Sequence, residues 1–347
     1  MTTPIGSTSE REQSPSAAAE SSSRLSHAAR RPPVRAWLQP TVIALVVVAA
    51  FIACYVGLQR DPRPHQVPIA VTGPELPGEI RQALGEAVEV HPATDAEAAR
   101  HALEHHDVVA ALSTDGPGRL HLEIAGAAGT STTSVVKSLV DAYAHGAGKH
   151  VTTEDVVPLT HFDARGLAGF YMAFGVTLAG FVLGSNALGL ATVLHLRHRF
   201  RLLAGASLAI GTVAAIIAGP VMGAVPAPVI PLVLTLALLA AAAAFTTKLL
   251  GTYLGPIGIP VATLLLLTVG NATSGATIGA DLLPTAARAI SALLPPGAAV
   301  RAITELSYFN SAHAAGPVIT LTLWAAIAAL LLALRPRLMQ RRTAASA

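Results

Sequence analysis

The run "WLQPTVIALVVVAAFIACYVGL", Trp37 to Leu58, contains no charged residue. Runs of this kind constrain the chain more than any other feature. An apolar stretch of this length suits a helix that crosses a bilayer core, where every backbone N–H and C=O must be satisfied within the segment. From Gly166 the apolar character returns, and five further runs follow at Leu167–Leu190, Leu202–Met222, Val229–Thr247, Leu250–Gly270 and Val318–Leu334. The pattern predicts a mainly α, polytopic membrane protein with six transmembrane helices.

Composition agrees. The chain is 52% hydrophobic, 12% charged and only 4% aromatic, so its apolar mass is Ala, Leu, Val and Ile. The charged share is about half that of a soluble domain. A single cysteine, Cys54, excludes an intramolecular disulfide and a cysteine metal cluster. Residues 1–35 are rich in Ser, Ala and Pro without apolar period, which predicts a disordered tail.

Residues 59–165 differ, because charges return and short β-rich runs alternate with helical ones. In "RLHLEIA" Leu120, Leu122 and Ile124 alternate with His121 and Glu123, the period of a half-buried strand. The turn "STDGPGR" before it predicts a hairpin with "VVAALS". Thr94 and Glu97 have the spacing of a capping box. This segment reads as a small α/β domain inserted between helices 1 and 2, large enough to hold its own core.

Basic residues set the expected orientation. Arg24, Arg30, Arg31 and Arg35 precede span one, Arg197, Arg199 and Arg201 join spans two and three, and Lys248 joins four and five. Arg335, Arg337, Arg341 and Arg342 follow span six, while the opposite flanks hold only Arg60, Arg63, Arg165, Arg288 and Arg301. The positive-inside rule predicts cytoplasmic termini at the cell membrane, with residues 59–165 extracytoplasmic and residues 337–347 a cytoplasmic tail.

The sequence offers little to catalysis. "AHGAGKH" contains a Gly–Lys pair, but Tyr143 stands where a P-loop needs its first glycine and His150 replaces the Ser or Thr. No G-x-S-x-G nucleophile motif occurs. His101 and His105 lie one helical turn apart, beside His106, and read as a solvated helix face rather than a metal pair. The expectation is no enzyme, no catalytic residue, no cofactor, no metal and no nucleic-acid partner.

The apolar runs from Leu167 to Leu334 contain no Asp or Glu, and Lys248, at a boundary, is their one cation. Ion-coupled carriers keep ionisable groups at membrane depth, so transport by this chain would draw energy from elsewhere. Gly180 and Gly184, Ser185 and Gly189, and Gly251 and Gly255 have small-xxx-small spacing. That spacing suits close helix packing within the chain or a homodimer seam. Asn186 is expected to face protein or a cavity.

Two stretches, "EDVVPLTHFDARGLAGFY" (Glu154–Tyr171) and "GNATSGATIGADLLPTAARAISALLPPGAAVRAITELSYF" (Gly270–Phe309), together with the layout, resemble the ABC-2-type transporter permeases. It resembles in particular their relatives grouped with phage infection protein. Gly270-Asn271, Ser274-Gly275, Leu283-Pro284, Pro296-Gly297 and Tyr308-Phe309 fit the family pattern. The resemblance spans about residues 36–336. It implies the membrane half of an exporter that dimerises and works with a separate cytoplasmic ATPase subunit, or a non-transporting surface protein whose external domain binds an envelope partner. Exporter permeases commonly carry a coupling helix between spans two and three. Here that loop is "HLRHRFR", too short for one, which points to the less-characterised relatives.

Residues 271–317 remain. Pro284 suits the first turn of a short helix, "TAARAISALL" puts Ala286, Ile290 and Leu293 on one face, and Pro295-Pro296 ends it. The segment reads as re-entrant or as an interfacial amphipathic helix. Asn186, Gly270, Asn271, Ser274, Gly275, Pro284, Pro296 and Gly297 are the expected substrate path or lid. A reporter fused after Leu120 should be active only outside the cytoplasm, and cytoplasmic activity there would overturn the orientation.

Overall fold

The computed structural model describes residues 34–190 and 193–345; of the tail expected at 1–35, residues 1–33, with Arg24, Arg30 and Arg31, lie outside them, and Val34 and Arg35 are helical. Contacts divide the chain into two units, up to Val46 and from Val47 onward. The first contributes the opening turns of helix α1 (Val34–Gln59), and the second contains everything below.

The α/β domain is built on a five-stranded sheet with β1 (Val67–Thr72), β2 (Val88–Ala93), β3 (Ala110–Thr114), β4 (Arg119–Ile124) and β5 (His150–Asp155). The strand order is β2-β1-β3-β4-β5. β1 runs parallel to both neighbours, β3 and β4 form the expected antiparallel hairpin with Leu112 opposite Leu122, and β5 pairs parallel to β4. Central β1 is buried on both faces (Ile69, Ala70, Val71), as a strand between parallel partners under helices must be. Helices α2 (Leu76–Leu84) and α4 (Thr130–Gly146) cover one face, where Ile80, Val136 and Val140 meet Ile69, Leu112, Leu120 and Leu122. Helix α3 (Ala96–Glu104) covers the other with Ala99 and Leu103. The N-cap of α3 is Asp95, whose carboxylate accepts from Ala98 N at 2.7 Å. Thr94, the expected cap, instead donates to Asp95.

The remainder is helical: α5 (Ala168–Gly189), α6 (Leu196–Ile216), α7 (Val229–Leu254), the short α8 (Gly258–Ala262) and α9 (Gly270–Ala272), then α10 (Thr285–Leu293), α11 (Pro295–Tyr308) and α12 (Ala315–Ala345). Among the described residues five helices are long and apolar enough to cross a membrane: Leu38–Gln59, Ala168–Gly189, Leu196–Val221, Val229–Ala272 and Ala315–Arg335. Spans four and five of the sequence reading fall within one of these helical runs, Val229–Ala272. At 44 residues that run would be about 66 Å long if straight. It is not straight. Gly255, at φ +60, breaks it in a conformation that favours glycine, and Pro256 opens the next turn. A Cβ on Gly258 would fall on the Leu250 carbonyl, so the chain turns back along itself there.

Two other expectations change. "LRHRF" is not a loop but the first turns of α6, and α12 continues to Ala345, through most of the stretch read as a tail. Lys248, read as a cation at a span boundary, is buried. It is 2% exposed, and its ammonium donates to the Ala187 carbonyl at 2.6 Å. Ala187 lies in the last turn of α5, where carbonyls lack intrahelical partners, so Lys248 caps α5 from across the bundle.

The small-residue spacing is used within the chain. A Cβ on Gly180 or Gly184 would meet the Ala240 or Ala244 carbonyl of α7, and one on Gly211 of α6 would fall on the Ala237 backbone of α7. Helices pack here backbone to backbone, as small residues permit. Gly211→Ala should cost about 1–3 kcal/mol through overpacking, read as a lower melting temperature in detergent. Gly205→Ala, with nothing within 4 Å of its Cβ, should not lower it.

Candidate functional site

The stretch singled out in the sequence, Gly270 to Phe309, is where the α/β domain and the helical part meet. Phe309 is fully buried and completes the second layer of the α/β core, packed with Ala70, Leu103 and Ala111. Its ring stacks on His106 with centroids 3.9 Å apart. His106 Nδ1 lies 2.5 Å from Glu305 Oε1, and Glu305, 4% exposed, also accepts from His313 N through Oε2. His313 in turn reaches Asp107 at 3.0 Å. A second tie runs through His65, whose N–H donates to Asp281 O and whose carbonyl accepts from Arg288 at 2.7 Å. Burial raises the Asp281 carboxyl above its ordinary range, and the charges of Arg288 and His106 oppose that shift.

Between these ties lies a cavity of about 300 Å³, lined by His106, Asp281, Arg301, Thr304 and Ser307 and by the N-terminus of α4. Ser274 and Gly275 also line it, so two of the expected path residues reach it. Val225, before α7, and Ser274, beyond α9, share this wall, as the reversal at Gly255 requires.

The other expected residues stand elsewhere. Asn271, fully buried, donates its amide to the Leu266 carbonyl at 3.0 Å. Residues Thr263–Val269 form a π-helical turn, which disturbs the regular ladder, and Asn271 re-satisfies it. Gly270 packs under the Pro296 ring, and a Cβ on Gly297 would fall on the Ser291 carbonyl. Pro284 is the exposed N-cap of α10. Pro295 and Pro296 do more than end that helix, since they form the first turn of α11, which is buried along most of its length. On α10 Ala286, Ile290 and Leu293 do share a face, and it points outward, away from buried Ala287 and Ser291. Asn186, expected to face protein or a cavity, faces neither within this chain. It is exposed on α5 and donates to its own helix at Val182 O.

Arg301, which sequence reasoning left aside, links the segment together. Its guanidinium donates to the Ser291 and Ala292 carbonyls at 3.2–3.3 Å, the orphan C-terminal groups of α10. Trp324 Nε1 donates to Leu293 O at 2.7 Å. The signal was present: an arginine seven or more residues beyond a helix that ends at prolines.

A second cavity, about 920 Å³, opens between α5 and α6 and is almost wholly apolar, with Met172, Val176, Ile210 and Val213 on its walls. Phe162 and Arg165 stand at one end, and Asp163 and Ala224 border both cavities. Asp163 caps α5, accepting from Leu167 N and Ala168 N at 2.9–3.1 Å. Comparison with protein families, curated proteins and solved structures finds no match to this chain. The residues and their geometry therefore carry the functional argument.

Three further polar clusters lie in the α/β domain. His101 and His105 are exposed and stacked at 3.9 Å, a solvated face. Lys149 and Tyr143 both donate to Glu79, and the Tyr143 hydrogen bond leads in lowering that carboxyl. The failed P-loop is thus a strut of the α/β domain. Strand register brings Glu123 opposite Glu154, with donor atoms of His121, Glu123 and Glu154 within 4.8 Å of one another. The Arg100 guanidinium, 3.2 Å from Glu123 Oε1, already counters that charge.

Asn271→Leu should leave Leu266 O unsatisfied and cost about 1–3 kcal/mol, seen as a lowered melting temperature. Asn186→Leu should leave it unchanged, because the Val182 carbonyl keeps its helical partner.

Proposed function

We propose that this chain is the membrane subunit of an ABC-2-type exporter that moves an amphipathic substrate with a separate ATPase. One observation carries the reading: an apolar groove of about 920 Å³ and a polar chamber of about 300 Å³ share Asp163 and Ala224 in their walls. A molecule with an apolar tail and a polar end matches that pair. The reversal at Gly255 supports six crossings from five continuous helices. The basic flanks support cytoplasmic termini and an extracytoplasmic α/β domain; in that orientation the chamber would lie near the outer surface. Buried helix α11, preceded by α10 with its outward apolar face, supports a re-entrant segment. The apolar helices hold no carboxylate to relay protons, so energy would come from the ATPase.

The alternative is a non-transporting protein whose external domain binds an envelope partner. It is favoured by one observation, the continuation of "LRHRF" into α6, which leaves no separate coupling helix between α5 and α6 among the described residues.

Tagged protein purified in mild detergent should retain an ATPase subunit, and deletion of the gene should reduce export of an amphiphile. If no ATPase is retained and export is unchanged, the exporter reading is wrong and the alternative stands.

A further inference from the structure

The groove between α5 and α6 stays open because the close approaches of both helices are made to α7. A Cβ on Gly180 or Gly184 would meet the Ala240 or Ala244 carbonyl, and one on Gly211 the Ala237 backbone. The groove walls carry small residues, Gly175 and Ala179 on α5 and Ala209 and Ala214 on α6. The Gly175 Cβ position has nothing within 4 Å. Tyr171, Val213, Ile217 and Met222 line the groove and are exposed. Water does not fill an apolar cavity readily, and a lining left bare forfeits its dispersion contacts. Hydrocarbon is the chemistry that fits.

Length and charge narrow the occupant. The lined stretch of α5, Ala168 to Ala179, rises about 16 Å, about half the hydrocarbon thickness of a bilayer. That is the depth of one leaflet, which one lipid acyl chain spans. At the end nearest the α/β domain stand Asp163 and Arg165, the charged residues of the wall. Asp163 has both oxygens engaged by the Leu167 and Ala168 amides at 2.9–3.1 Å, and the start of α5 offsets its charge. Arg165 is exposed, with neither a hydrogen bond nor a carboxylate partner among the described residues. A headgroup at this end meets an uncompensated guanidinium, which suits a phosphate.

We propose that the α5–α6 groove holds one acyl chain of an anionic phospholipid, its phosphate beside Arg165 and its tail running past Gly175. The site stands on the groove and its charged end. Only the further step, that the bound lipid is cargo, rests on the exporter reading above.

The test uses the full chain in phosphatidylcholine nanodiscs doped with a phosphatidylglycerol that carries a diazirine midway along one acyl chain. After irradiation, peptide mass spectrometry should find the label on groove residues such as Val176 and Ile210. A phosphatidylcholine with the same chain should label them about fivefold less, the worth of one basic residue at a lipid surface. Gly175→Phe fills the open space with a residue that suits a helix better than glycine. Groove labelling should then fall about tenfold or more, as overpacking dictates. Arg165→Gln should remove the headgroup preference and leave the melting temperature unchanged. The proposal is overturned if the groove is not labelled, if folded Gly175→Phe is labelled as the parent is, or if the two headgroups label equally. It is also overturned if Gly175→Cys, in a Cys54→Ser background, forms an interchain disulfide and excludes the probe, which would assign the groove to a second copy. A labelled groove in protein that retains no ATPase supports the lipid site and removes the cargo role.

Discussion

Backbone groups released at a helix break in apolar surroundings must find a partner, and the arrangement of this protein depends on that requirement. The helical part is broken repeatedly, and several of the breaks recruit a polar side chain from another element or a later turn. Lys248 caps the end of α5, Asp163 caps its start, and Asn271 repairs the π turn after α8. Arg301 and Trp324 together close the end of α10. The positions of these side chains explain why the bundle tolerates prolines and glycines that would disrupt a simple span.

The same logic joins the two halves of the second unit. The loop after α3 puts His106 at φ +61, where it meets Glu305 and stacks on Phe309. Phe309 is a core residue of the α/β domain although it lies some two hundred positions from the nearest strand partners. Burying it fixes α11 against the domain, and α11 in turn carries Arg301 into the chamber. A polar cavity under a domain can persist only if such clamps hold its walls apart and its lining groups stay satisfied.

Much of this was legible in sequence, for identifiable reasons. The apolar runs, the β3–β4 hairpin and the β-rich domain between α1 and α5 announced themselves through period and composition, which are local. The Gly180–Gly184 spacing announced close packing, but not its partner, which is α7. The motif between Gly270 and Phe309 was recognised as special. Of the residues expected to form a path or lid, Ser274 and Gly275 line the chamber, Asn271 and the Pro296–Gly297 pair support it, and Asn186 stands apart on α5. Residue type and spacing cannot distinguish a lining residue from a packing one, because the difference lies in what crosses from other elements.

The sequence by itself determined the class of the molecule: several apolar helices compatible with a multi-pass membrane protein and one small α/β domain, because hydrophobic length and alternation are properties of consecutive residues. The tertiary structure alone decided that the run from Val229 to Ala272 folds back at Gly255, that Lys248 is a buried cap, and that Phe309 belongs to the core of another layer. Each of these is settled by a carbonyl, a ring or a turn supplied from far along the chain, and no local pattern records such a partner.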